Sequence, residues 1–262
     1  MKSYILPLIL TLFAGMSTLL GGFITFFIKR NNLNALSIGL GFSAGVMVYV
    51  SLSELVPNSE VMLQSYYGLL GSKAMVFGGF LSGVLIAVLI DYFIPDHIEE
   101  DFLGNTSKKQ QRRKIKRAGL ITALAVTLHN FPEGMATFLV SSQDLALGIP
   151  VAIAIAIHNI PEGIAIALPI FHATGRKRLA ILYSFMSGIS EPIGGLIGVV
   201  LLKTIMPEQS VGVMTAAIAG IMVYLSFDTL LPLAREYGEN HHVIIGIIMG
   251  MLIMSFSLIF LN

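Results

Sequence analysis

The sequence predicts an all-α integral membrane protein of eight transmembrane helices with inverted-repeat symmetry. Three observations carry this expectation. Hydrophobic residues make up 55% of the 262 and charged residues 12%. The apolar residues gather in runs longer than about 18, enough for a helix to cross a bilayer. Thirteen of the 16 Lys and Arg residues fall in alternate connections between these runs, the bias that orients membrane helices. A short polar motif, HNFPEG at His129–Gly134, returns as HNIPEG at His158–Gly163 on the following run.

Spans are expected at 4–28, 35–57, 74–95, 118–140, 146–171, 179–203, 211–233 and 242–261, in one transmembrane domain covering 1–262. The first resembles a signal peptide, with Lys2 ahead of an apolar run. That run continues to Ile28 and stops at Lys29-Arg30, too long for a signal core, so it reads as a retained span. Gly, Ala and Ser recur through the second, sixth and seventh spans and suit close helix packing in lipid. The longest connection, 96–117, is expected in the cytoplasm. Its first part, Asp96–Asp101, is acidic and holds His97; its second part is strongly basic. The basic part reads as an orientation signal facing anionic lipid. The acidic part reads either as a solvated loop or as a weak metal exit point. With Lys29, Arg30, the basic part of 96–117, Arg176–Arg178 and Arg235 inside, both termini lie outside a cytoplasmic membrane that the chain crosses several times.

The fourth and fifth spans carry the chemistry. Ionisable side chains at membrane depth are costly and mark sites. His129 and Glu133 stand four residues apart, as do His158 and Glu162, so each pair shares a helix face. Asn130 and Asn159 lie beside those faces. Imidazole nitrogen, amide oxygen and carboxylate are all ligands for divalent cations. Two facing glutamates repel unless a cation or proton lies between them. The sequence therefore points to an intramembrane metal site between spans 4, 5 and 6, with Glu191 of SGISEPIGG completing it. Ligands are sufficient for two metals bridged by Glu133 and Glu162. Pro132 and Pro161 deprive the Leu128 and Ile157 carbonyls of their helical donors, which either kinks the helices or shapes the site. Identical motifs on antiparallel neighbours imply a pseudo-two-fold axis in the membrane plane.

Five further residues are candidates for the pathway or for support. Glu54, Asp91 and Asp228 either line the route or cap and pair helices. Ser187 either backs Glu191 or merely packs, and Met47 offers either a thioether ligand or packing. His241 and His242 form a weak surface pair, and His172 reads as a loop residue after the fifth span.

The absence of Cys removes thiolate metal sites and disulfides. No phosphate-binding loop points to ATP, and nothing in the charge pattern points to nucleic acid. A zinc protease motif needs Glu beside its first His, where Asn stands here. A di-iron bundle needs Glu three before His, and here the order is reversed. An enzyme is thus disfavoured on motif. A passive channel stays open, although the ligand set looks built to hold its ion.

The duplicated HNxPEG motif, the Glu of SGISEP, the span count and the outside termini resemble the ZIP family of divalent-metal importers. HNFPEGMATF and HNIPEGIAIALPIF are similar to its bacterial ZupT branch. The resemblance implies import of zinc, with iron(II), manganese, cobalt and cadmium as further cargo, and no resident cofactor. It implies one metal held by His129, Glu133, His158 and Glu162 and a second by Asn130, Glu133, Asn159, Glu162 and Glu191. It also implies that spans 1, 4, 5 and 6 slide as a block against spans 2, 3, 7 and 8, which form a homodimer-making frame. The 96–117 connection departs from His-rich relatives in holding only His97.

Overall fold

The structure, a computed structural model, describes residues 4–93, 108–143, 145–204 and 209–259, and its regular elements are all helical. α1 runs Ile5–Phe23 and tightens into a 3₁₀ turn at Ile24–Phe26. The side-chain oxygen of Asn32 accepts the Ala35 N–H at 3.1 Å and caps α2, Leu33–Val50. A π-helical turn, Ser51–Leu55, leads directly into α3, Val56–Phe93. α3 is two helices joined at Gly68, whose φ of +67° and ψ of −180° favour glycine. The helix from Leu33 therefore reaches residue 67, past the expected end at 57, and the next begins at 69 rather than 74. Pro57 does not end the helix, because it follows the wide turn, where backbone pairing is already shifted.

α4 spans Lys108–Gln143, so residues 108–117, expected in a loop, form its first turns. Lys, Gln and Arg are good helix formers, and charge alone does not stop a helix. Residues 96–101, including His97, lie outside the described residues. α5 covers Leu145–Thr174 and includes His172, which is buried in its last turn rather than in a loop. The expected sixth span is interrupted at Ile189, between α6, Lys177–Gly188, and α7, Ser190–Thr204. Pro192 has no N–H for the Gly188 carbonyl, which weakens the helix at that point. α8, Gln209–Tyr224, passes through a second π-helical turn, Leu225–Leu230, into α9, Leu231–Tyr237; α10 is Asn240–Ile259.

Among the described residues, six helical segments are long and apolar enough to cross a membrane. They are Ile5–Phe26, Leu33–Tyr92, Gly148–Thr174, Lys177–Gly198, Gln209–Tyr237 and Asn240–Ile259. Leu33–Tyr92 holds the two helices that meet at Gly68. α4 is not among the six, because its start is basic and its middle carries His129, Asn130 and Glu133.

The two π turns belong to a second sequence repeat, separate from the HNxPEG pair. AGVMVYVSLSELVP at 44–57 matches AGIMVYLSFDTLLP at 219–232 without a gap. The geometry repeats too. The Ser51 hydroxyl donates to Met47 O at 2.7 Å, and the matching Ser226 hydroxyl donates to Met222 O at 2.8 Å. Beyond them Val56 N–H reaches Ser51 O and Leu231 N–H reaches Ser226 O. A serine occupying the carbonyl on one side and a proline lacking its N–H on the other leave the wide turn as the pairing that remains.

α1, α4, α5 and the α6–α7 pair pack on one another, while α2 packs on α10 and α3 on α8. Glycines let backbones touch within these sets. A Cβ at Gly134 would overlap the backbone of Glu191, one at Gly163 that of Thr18, one at Gly45 that of Ile247 and one at Gly83 that of Ala217. Between the sets, α2 meets α5 through side chains: Gly39 faces those of Leu168 and Ile164, and the Ser43 hydroxyl donates to Pro161 O at 2.7 Å.

The basic connections gather at one end. Arg30 donates to His172 O at 3.2 Å and Ala173 O at 2.9 Å, which brings the α1–α2 turn beside the α5–α6 turn. The Ser37 hydroxyl donates to Ala234 O at 2.8 Å. Lys114 lies 3.6 Å from Glu236, and the Tyr237 hydroxyl reaches Gln111 O at 3.4 Å, which adds the start of α4.

Candidate metal centre

α4 and α5 each turn one polar face inward. His129, Asn130 and Glu133 come from α4, and His158, Asn159 and Glu162 from α5; all six are buried, with exposures of 0–4%. The spacing of four brings each His over its own Glu, but the partners are exchanged. His129 Nε2 meets Glu162 Oε1 at 3.0 Å, and His158 Nε2 meets Glu133 Oε1 at 2.8 Å. Each motif is thus paired through the other. Such pairing offsets part of the cost of burying four ionisable groups in an apolar bundle.

α7 supplies the third carboxylate. Glu191 is fully buried at the start of α7, and its Oε1 accepts from the Asn159 amide. The same amide donates to Ala14 O of α1 at 3.0 Å, a contribution from the first helix that no sequence signal announced. Gly134 makes the placement of Glu191 sterically feasible, since any larger residue there would strike the Glu191 backbone. Asn130 has two useful settings. With its nitrogen toward α5 it donates to Val126 O at 2.9 Å and Glu162 Oε2 at 3.3 Å. Turned over, its nitrogen reaches Ser187 O at 3.4 Å and its oxygen faces those acceptors, as suits a cation held among them. In that second setting Ser187 meets the centre through its carbonyl; its hydroxyl is buried with no hydrogen-bond partner.

Glu133 Oε2, Glu191 Oε2, Asn159 Oδ1, His129 Nδ1 and His158 Nδ1 are buried with no hydrogen-bond partner. Buried polar atoms are rarely left so. The set is all oxygen and imidazole nitrogen, which fits a borderline divalent cation. Among the described residues, no three His, Asp or Glu side chains already close around one point as a metal cage; the His–Glu pairs close on each other instead.

The remaining sequence candidates are dispersed. Met47 is fully buried in the main apolar cluster. Asp91 pairs with Arg117 at 3.5 Å. Asp228 is exposed and accepts from the Tyr224 hydroxyl. Glu54 stands in the first π turn within electrostatic reach of His158 and Glu133. His241 is exposed and His242 partly so.

Residues 95–258 match the family model described as the ZIP zinc transporter. Proteins named zinc transporter ZupT are similar along nearly the whole chain. That of Clostridium perfringens is 44% identical, covering 99% of this chain and 97% of its own. That of Akkermansia muciniphila is 45% identical with 96% of each covered, and that of Streptococcus mutans 46% identical, also with 96% of each covered.

Proposed function

The chain belongs to the ZIP zinc transporter family, and from that premise we propose that it imports zinc and related divalent cations through the buried centre between α4, α5 and α7. It is a transporter and not an enzyme, a multi-pass membrane protein whose substrate is a divalent metal ion. The observation that carries the choice of site is the exchanged His–Glu pairing, with acceptor atoms of Glu133, Glu191 and Asn159 left over beside it. An arriving ion exchanges its waters for these groups and breaks the two pairs.

The finer reading places one ion on His129, Glu133, His158 and Glu162. A second sits on Asn130, Asn159 and Glu191, with Glu133 and Glu162 bridging the two. The oxygen-rich second position admits the harder iron(II) and manganese, and cobalt and cadmium share the first with zinc. The reading asks for no resident cofactor. Eight crossings follow if Leu33–Tyr92 counts twice and α4 is added, with both termini outside and the basic end in the cytoplasm. The matched 44–57 and 219–232 segments and the exchanged motifs support an inverted repeat. The packing of α1, α4, α5 and α6–α7 as one set supports a carrier whose ion-holding block moves against a frame of α2, α3, α8, α9 and α10. In this reading the frame joins a second copy within the lipid.

Uptake of zinc into sealed proteoliposomes tests the proposal. Wild-type protein should show saturable uptake, and the Glu133→Ala, Glu162→Ala double variant should show none while still eluting as folded protein. Equal uptake by both would remove the centre from the pathway.

A further inference from the structure

Glu54 is the ionisable residue near the centre that the ligand sets above leave unused. It lies on α2's continuation, within the π turn Ser51–Leu55, and its Oε2 is buried without a hydrogen-bond partner. Its neighbour Leu55 and His158's neighbour Ile157 pack against the same apolar cluster, around Val46 and Val50. Glu54 also interacts electrostatically with both His158 and Glu133. The π turn is what puts it there. One extra residue in a turn rotates the chain by about 100° relative to a continuous α-helix, and such turns gather at functional positions. The matching segment 219–232 keeps the serine, the proline and the wide turn but has Thr229 at the position of Glu54. The carboxylate is therefore not needed to form the turn. The His158 ring is already paired with Glu133 Oε1, and among the described residues the free oxygen of Glu54 has no hydrogen-bond partner.

We propose that Glu54 is an additional cation ligand, contributed from α2, that shares the divalent ion with His158 and Glu133. The inference rests on the transport reading above and adds a ligand to it from the other packing set. An ion so held ties α2 to α5, and passage onward requires the Glu54 bond to break first. Glu54 then fixes which cations are admitted: a carboxylate favours the harder ions, a thiolate the softer.

The chain has no cysteine, so Glu54→Cys creates a single reporting thiol. In purified full-length protein, micromolar Cd²⁺ should protect that thiol from a maleimide. Protection should fall roughly 10-fold or more in Cd²⁺ sensitivity when His158→Ala is added, the scale of losing one metal-site interaction. Ser53→Cys, adjacent and exposed, should not be protected. Glu54→Gln should raise the KM for Mn²⁺ uptake, and Glu54→Cys should shift competition toward Cd²⁺. Protection that is equal at residue 53, or that survives loss of His158, overturns the proposal, as does an unchanged KM in Glu54→Gln. Wild-type protein that takes up no metal would instead overturn the transport reading itself, which keeps the two failures distinct.

Discussion

Asn130 and Asn159 stand at the same place in the two motifs yet do different work. Asn159 is tied to Ala14 O and the Glu191 carboxylate, whereas Asn130 is free to present either end of its amide to Glu162. Both supply oxygen to the harder of the two proposed positions. Asn130→Ala and Asn159→Ala should therefore slow manganese and iron(II) uptake more than zinc uptake, read as initial rates in one vesicle preparation. Equal losses for all three ions would sink the division into two positions. That these polar residues gather at one place was legible in the sequence, because His, Asn and Glu inside apolar runs have no cheap structural reason to be there. Their partners were not. Spacing puts His129 over Glu133 on one face, but which carboxylate the ring meets depends on how α4 and α5 are rotated against each other, and that is set by packing.

Helix ends were the least legible elements, for identifiable reasons. The expected spans stop at 57 and 233, yet Pro57 and Pro232 each follow a wide turn that a serine hydroxyl helps to hold open, and the helix continues. The basic run before residue 118 looked like loop because of its charge, although its residues favour helix. At Gly134 the structure shows why glycine is needed, since a Cβ there would meet the Glu191 backbone. Gly134→Ala should overpack α4 against α7 and lower stability by about 1–3 kcal/mol. Gly78→Ala, in a helix interior with nothing near the added methyl, should instead stabilise by roughly 0.5–1 kcal/mol. Thermal unfolding of both variants in one detergent checks the opposite signs; a matching shift would show that the crossing is not tight.

At the scale of the molecule, the absence of cysteine again gives a clean test of topology. Asn31→Cys at the basic end should react with a membrane-impermeant thiol reagent only after cells are opened. Leu70→Cys, beside the reversal at Gly68 and 84% exposed, should react in intact cells. The reverse pattern would invert the proposed orientation. Membrane class and the gathering of the basic connections at one end were legible in composition and loop bias alone, whereas the division into packing sets was not, because glycine content says that helices approach but not which ones. That division has a mechanical consequence. Where glycine lets main chain rest on main chain, as between α4 and α7 or α2 and α10, relative sliding would drive carbonyls into backbone, so these seams behave as welds. Where α2 meets α5, Leu168, Ile164 and the Ser43 hydroxyl form the contact, and side chains can change rotamer and a single hydrogen bond can be exchanged. The fold thus sets its stiffness by residue size, and its line of least resistance runs past His158.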